Sequence, residues 1–190
     1  MESTFSPDGS MLATVIQSRR KIWNWRTGEL VFSIQIPWSG CLAFSADNKL
    51  VAWQESHTIV IRDVATGKQL NVFQSHQHHI GAMAFSPDGN SLLTASTPMI
   101  IQRWDLRTGE AVFSGNGHDG YVVSLAFSPN GRMLASGAND RAIRLWDCGT
   151  MKQLHAWEGS EGVVNMAMAF SADGKMVAAG GGGGPIRVGR

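Results

Sequence analysis

Phe127-Ser128-Pro129-Asn130-Gly131 is one of five copies of the same short phrase. The others are Phe5-Ser6-Pro7-Asp8-Gly9, Phe44-Ser45-Ala46-Asp47-Asn48, Phe85-Ser86-Pro87-Asp88-Gly89 and Phe170-Ser171-Ala172-Asp173-Gly174. Successive phenylalanines lie 39, 41, 42 and 43 residues apart. A step this constant marks a structural repeat, and a repeat governs the whole fold. Each copy is also a turn with a mechanism. Proline presets φ at the second turn position, Asp or Asn tolerates the next, and glycine accepts the left-handed conformation.

Working outward, an apolar stretch precedes each complete turn, as from Ile80 to Phe85 or from Tyr121 to Phe127. Another follows it, as at Met133-Leu134-Ala135. These runs are short and bounded by turn residues, with no sustained helical period, so they read as strands. A second landmark comes later in each unit: Ile101-Gln102-Arg103-Trp104-Asp105 and Ile143-Arg144-Leu145-Trp146-Asp147. Ile22-Trp23-Asn24 and Ile59-Val60-Ile61-Arg62-Asp63 are degenerate copies. Thr27-Gly28, Thr66-Gly67 and Thr108-Gly109 follow three of them as hairpin turns. Each unit therefore predicts four strands joined by turns, a single antiparallel meander.

Composition agrees. Charged residues are 16% of the chain, below the roughly 25% of an average soluble protein, and glycine is frequent at 22 of 190. A formal net charge of +1 argues against a binder of nucleic acid driven by phosphate neutralisation. No apolar run approaches the ~18 residues of a membrane span, and Met1-Glu2-Ser3-Thr4-Phe5 does not read as a leader. Two cysteines, Cys41 and Cys148, make no disulfide framework and read as reduced thiols in a cytoplasmic protein.

The repeated motifs resemble those of the WD-repeat β-propeller family, whose units run about 40–45 residues with four strands per blade. The resemblance covers nearly the whole chain and implies an all-β propeller of units at 1–36, 37–75, 76–116, 117–159 and 160–190. Its best unit runs from Gly117-His118 to Trp146-Asp147. There it implies a buried hydrogen-bond network of His118, Ser136, Asp140 and Trp146. The chemistry is coherent, because an indole N–H must find an acceptor when buried, and a serine hydroxyl can supply it and donate onward to imidazole. His76, Thr94 and Trp104 keep three of the four positions in the preceding unit, with Pro98 where the carboxylate belongs. The second unit puts Trp53 at the hydroxyl position and Arg62 at the tryptophan position, and the first has Gln17 and Ser18 in its turn.

Ser, His and Asp also compose hydrolase triads, but a nucleophile needs exposure and an oxyanion hole. A serine inside a strand, engaged by tryptophan, reads as structural. His76, His78 and His79 lack further ligands at metal spacing, so neither metal nor cofactor is expected. The glycine run at 180–184 lacks the Gly-Lys-Ser/Thr of a phosphate loop. Seven tryptophans without a basic balance read as packing, not as stacking on nucleic acid.

The resemblance implies a non-catalytic platform for protein partners. The alternatives are the sensor or scaffold part of a larger regulatory protein, such as a kinase fusion, and an enzyme with a channel site. Alignment of the units puts Trp38, His79 and Tyr121 on one rim, with Asn139 and Arg141 in a neighbouring turn, and aromatic residues are common interface anchors. At about 41 residues a unit the chain holds roughly 4.6 units, fewer than family rings usually need. An open arc is expected, completed by further blades or by self-association.

Overall fold

The computed structural model describes residues 3–16, 19–36, 40–74, 79–96, 99–158, 167–181 and 187–189. Among them are 19 strands in five antiparallel sheets, and no helix. The first sheet comprises β1 (Ser3–Phe5), β2 (Met11–Ile16), β3 (Arg19–Asn24) and β4 (Leu30–Gln35). The second comprises β5 (Leu42–Phe44), β6 (Leu50–Glu55), β7 (Thr58–Asp63) and β8 (Gln69–Gln74). The third comprises β9 (Ile80–Phe85), β10 (Ser91–Ser96), β11 (Ile100–Asp105) and β12 (Ala111–Asn116). The fourth comprises β13 (Val122–Phe127), β14 (Met133–Ala138), β15 (Ile143–Asp147) and β16 (Gln153–Trp157). In the fifth, β17 (Ala167–Phe170), β18 (Val177–Gly180) and β19 (Arg187–Gly189) are described. Every sheet keeps its strands in chain order. The predicted meanders are therefore blades.

The repeated phrase builds the first turn of each blade by the same bonds. In the fourth, the Met133 N–H donates to Ser128 Oγ at 2.9 Å and the Ser128 hydroxyl donates to Asn130 Oδ1 at 2.8 Å. Gly131 then closes the turn at φ +69°. Asn48 replaces that glycine in the second blade at φ +62°, which Asn tolerates better than most residues. The third-to-fourth-strand hairpin uses glycine in three blades, but the fourth blade holds Met151 at φ +53°. Met151 is buried with Cys148 in the seam below, so packing offsets a strained backbone.

Successive blades share apolar seams. Ala13 and Ile22 of the first pack with Val51, Trp53 and Val64 of the second. Ala52, Ile61 and Phe73 of the second meet Phe85, Leu92 and Trp104 of the third. Leu93 and Ile101 of the third meet Leu134, Trp146 and Cys148 of the fourth. Along the inner edge β5 lies beside β9, β9 beside β13, and β13 beside β17. At one such approach a Cβ on Gly81 would stand 2.7 Å from the Val122 carbonyl oxygen, so only glycine fits. The blades form an arc that does not close into a ring among the described residues. The upper end of the arc carries the entries to the first strands and the turns between second and third strands.

Candidate functional site

Two features share the fourth blade's upper end: a buried polar chain and an exposed cavity above it. The chain starts at β15, where Trp146 is buried and its Nε1–H donates to Ser136 Oγ at 2.8 Å. Ser136, on β14, is fully buried and lies 2.7 Å from His118 Nε2. His118 Nδ1 lies 2.9 Å from Asp140 Oδ2. One proton arrangement satisfies every group. The serine accepts from indole and donates to Nε2, and the Nδ1–H donates to the carboxylate. Arg144 Nε lies 3.3 Å from the same Nδ1, but a protonated nitrogen cannot accept. Arg144 serves Asp140 instead, with Nη2 at 3.6 Å from Oδ2.

Burial pushes the His118 imidazole below its ordinary value and so favours the neutral ring, although the Asp140 hydrogen bond acts in the opposite direction. Burial alone would raise the Asp140 carboxyl. The backbone N–H groups of Ala142 and Asp119 and the His118 ring outweigh it, and Asp140 is held below the usual carboxylate range. Asp140 thus also fastens the loop before β13 to the turn after β14, through Asp119 N at 2.9 Å and Ala142 N at 3.0 Å.

This arrangement is poor for nucleophilic catalysis. The Ser136 oxygen is fully buried and already accepts from tryptophan, so no substrate carbonyl can approach it. Cys148 is no nucleophile either, since burial pushes its thiol up to about 11.

The other blades vary the chain. Trp104 Nε1 donates to Thr94 Oγ1 at 2.9 Å, while His76 and Pro98 lie outside the described residues. Sequence reasoning missed the first blade's version, in which Trp23 Nε1 donates to Thr14 Oγ1 at 3.0 Å. Its signal was a hydroxyl nine residues before a tryptophan, overlooked beside Gln17 and Ser18, which are also outside the described residues. The second blade uses another solution. Trp53 is fully buried, donates Nε1–H to Glu55 Oε1 at 2.7 Å, and has the Arg20 and Arg62 guanidinium groups 5.5 and 5.6 Å from its ring centroid. Arg20 also donates to the Gly40 carbonyl. Cation–π contacts and a carboxylate thereby stand in for the hydroxyl chain.

Of the expected rim residues, Tyr121 is 54% exposed, and Asn139 and Arg141 are exposed in the adjoining turn. The Asn139 N–H donates to the Tyr121 carbonyl at 2.9 Å, locking the two loops together. Tyr121 and Asn139 line a cavity of about 410 Å³ with Met99, Asp119, Gly120 and Asp140. Met99, from the third blade, and Asp119 carried no repeat signal. His79 is exposed just before β9 but does not line this cavity, and Arg141 does not either. Trp38 lies outside the described residues. Among the described residues no three His, Cys, Asp or Glu side chains gather at metal-binding distance, and His76 and His78 lie outside them.

The profile of the family "WD domain, G-beta repeat" matches residues 67–105 and 109–147, which hold both complete Trp-Asp landmarks. These two stretches are WD repeats, and they support the WD-repeat family for this chain. Among curated WD-repeat relatives, the human "WD repeat-containing protein 36" is 32% identical over 88 residues, 45% of this chain and 10% of that protein. "Periodic tryptophan protein 2" of Arabidopsis thaliana is 27% identical over 89 residues, again 45% and 10%. The mouse "WD repeat-containing protein 3" is 23% identical over 103 residues, 54% of this chain and 11% of that protein. The WD-repeat stretch matched here spans about a tenth of the length of these relatives. WD-repeat proteins are commonly protein-interaction scaffolds.

Proposed function

We propose that this chain is a non-catalytic WD-repeat scaffold that binds a protein partner through the upper rim of its blades, in the cytoplasm. The observation carrying this reading is the cavity of about 410 Å³ at the third-to-fourth-blade junction, walled by a half-exposed Tyr121 ring. Its floor is rigid, because Asp140 is tied to His118, Asp119 and Ala142. Tyrosine offers a large contact area with little rotamer entropy to lose, and a preorganised surround lowers the cost of binding. Asn139 and Arg141 add polar contacts on one side, and His79, exposed just before β9, extends the same rim along the arc.

The test is binding of a captured and then purified partner to wild type and to Tyr121→Ala, both verified as folded by circular dichroism. A hot-spot aromatic costs about 2 kcal/mol or more on truncation, so affinity should fall by about thirtyfold. Equal affinity for the two proteins would remove this rim from consideration. Fractionation of cells expressing the tagged chain tests the location.

A further inference from the structure

The upper cavity of about 410 Å³ is lined by two carboxylate residues, Asp119 and Asp140, together with Tyr121, Met99 and Asn139. Among the described residues no lysine or arginine lines it. The two carboxylates differ. Asp140 is fully engaged, with Oδ2 taken by His118 and the Asp119 N–H, Oδ1 taken by the Ala142 N–H, and Arg144 Nη2 at 3.6 Å balancing its charge. Asp119 is exposed, and among the described residues no hydrogen bond or salt bridge holds its carboxylate. The lining therefore carries an uncompensated negative charge beside a half-exposed aromatic ring.

The backbone holds that charge in place. The Asp119 N–H donates to Asp140 Oδ2 at 2.9 Å, and the Asn139 N–H donates to the Tyr121 carbonyl. Gly120, between Asp119 and Tyr121, is pressed onto the turn: a Cβ there would overlap the Asp140 backbone nitrogen, so only glycine lets the loop lie this close. The walls come from the third and fourth blades, which the second and fifth sheets flank. The cavity at the lower end of the same junction, of about 400 Å³, is a contrast. Arg103 and Arg132 line it alongside Asp88 and Asp147, so neither sign of charge prevails there.

We propose, resting on the rim reading above, that this cavity receives an arginine side chain from an exposed segment of the protein partner. A cation is attracted both to the face of an aromatic ring and to a carboxylate. Arginine suits the site better than lysine. Its planar guanidinium can lie on the Tyr121 ring while its edge donates to Asp119 and to the Asn139 side-chain oxygen. The lysine ammonium is a compact, more strongly hydrated point charge. An acidic segment is disfavoured, because it would set like charge against Asp119.

Titration of the isotope-labelled 190-residue chain with a capped Gly-Gly-Arg-Gly-Gly peptide, read by amide NMR shifts, tests this. The amides of Asp119, Gly120, Tyr121 and Asn139 should move saturably, with a Kd on the order of a millimolar. Peptides carrying lysine, or citrulline as the uncharged isostere, should bind the wild-type chain about fivefold more weakly or worse. Asp119→Asn, with its spectrum elsewhere unchanged, should weaken the arginine peptide about fivefold, the scale of one exposed ion pair. No saturable shift at these amides, equal binding of either comparison peptide, or an Asp119→Asn affinity equal to wild type would overturn the inference. The purified partner separates this inference from the rim reading. Affinity lost in Tyr121→Ala but kept in Asp119→Asn would overturn the arginine and leave the rim standing. Equal affinity in wild type and Tyr121→Ala would overturn the rim reading itself.

Discussion

Replacing Ser136 by alanine removes one oxygen and strands two buried groups. The Trp146 indole N–H, at 2.8 Å, loses its acceptor, and His118 Nε2, at 2.7 Å, loses its donor. Each buried polar group left unsatisfied costs about 1–3 kcal/mol. Water cannot easily repair the loss, because a single missing hydroxyl leaves less room than a water with its own partners needs. The expected cost is about 3 kcal/mol, the lower half of the summed range, since local relaxation recovers part of it. Thr14→Val is the internal comparison. It removes the acceptor of Trp23 Nε1, at 3.0 Å, but both residues are half-buried and solvent can replace the bond. Its cost should be about 1 kcal/mol or less.

Repeat arrays lose stability locally, so the assay should resolve blades. Hydrogen exchange read by mass spectrometry does so peptide by peptide. Ser136→Ala should speed exchange in β13–β15 by about two orders of magnitude, since each 1.4 kcal/mol is tenfold. Peptides of the first blade should exchange as in wild type. A Ser136→Ala effect no larger than that of Thr14→Val, or one spread evenly over all the sheets, would refute the reasoning.

Three further outcomes follow from the same geometry. Because burial holds the folded His118 below its ordinary value of 6.5, the unfolded chain takes up the proton first as pH falls. This contribution to stability is complete above about pH 6.5 and is lost as pH drops toward the folded value, so thermal melts across that window should be steeper for wild type than for His118→Gln. Gly81→Ala would drive a Cβ to 2.7 Å from the Val122 carbonyl, a backbone atom that cannot swing aside. It should lower stability in urea by about 1–3 kcal/mol, and an unchanged midpoint would mean the inner edges are not in contact. Iodoacetamide on the native chain should modify half-buried Cys41 well before Cys148, whose thiol is pushed up to about 11, and peptide mapping reads the order.

The sequence was most readable where local chemistry alone sets the conformation. The turn at 128–133 needs only a hydroxyl, an Asx side chain and a glycine at φ +69°, so its five copies marked the blades. The His118–Asp140 pair was readable because the family motif names both positions. Substitutions that depend on a neighbouring blade were not. Trp53 and Arg62 look like losses in a single repeat, and only the packing of Arg20 from the first blade onto the same ring shows how the junction is rebuilt. Arg103 is similar. It stands where other blades have Ile22, Ile61 and Leu145, and its Nη1–H donates to the Cys148 carbonyl of the next blade at 2.8 Å. Met99 reaches the upper cavity for the same reason: repeat position says nothing about what lies across a seam.

Under the proposed scaffold role, partners meet the upper rim at the third-to-fourth-blade junction. A photoreactive benzoylphenylalanine in place of Tyr121 tests it most directly, because it preserves an aromatic ring at a position 54% exposed. The same group in place of Arg107, exposed in the turn at the opposite end of the third blade, is the control. Irradiation in cells should yield a discrete protein adduct from position 121 and none of that mass from position 107. Adducts from position 107 alone, or the same adduct from both, would contradict the account.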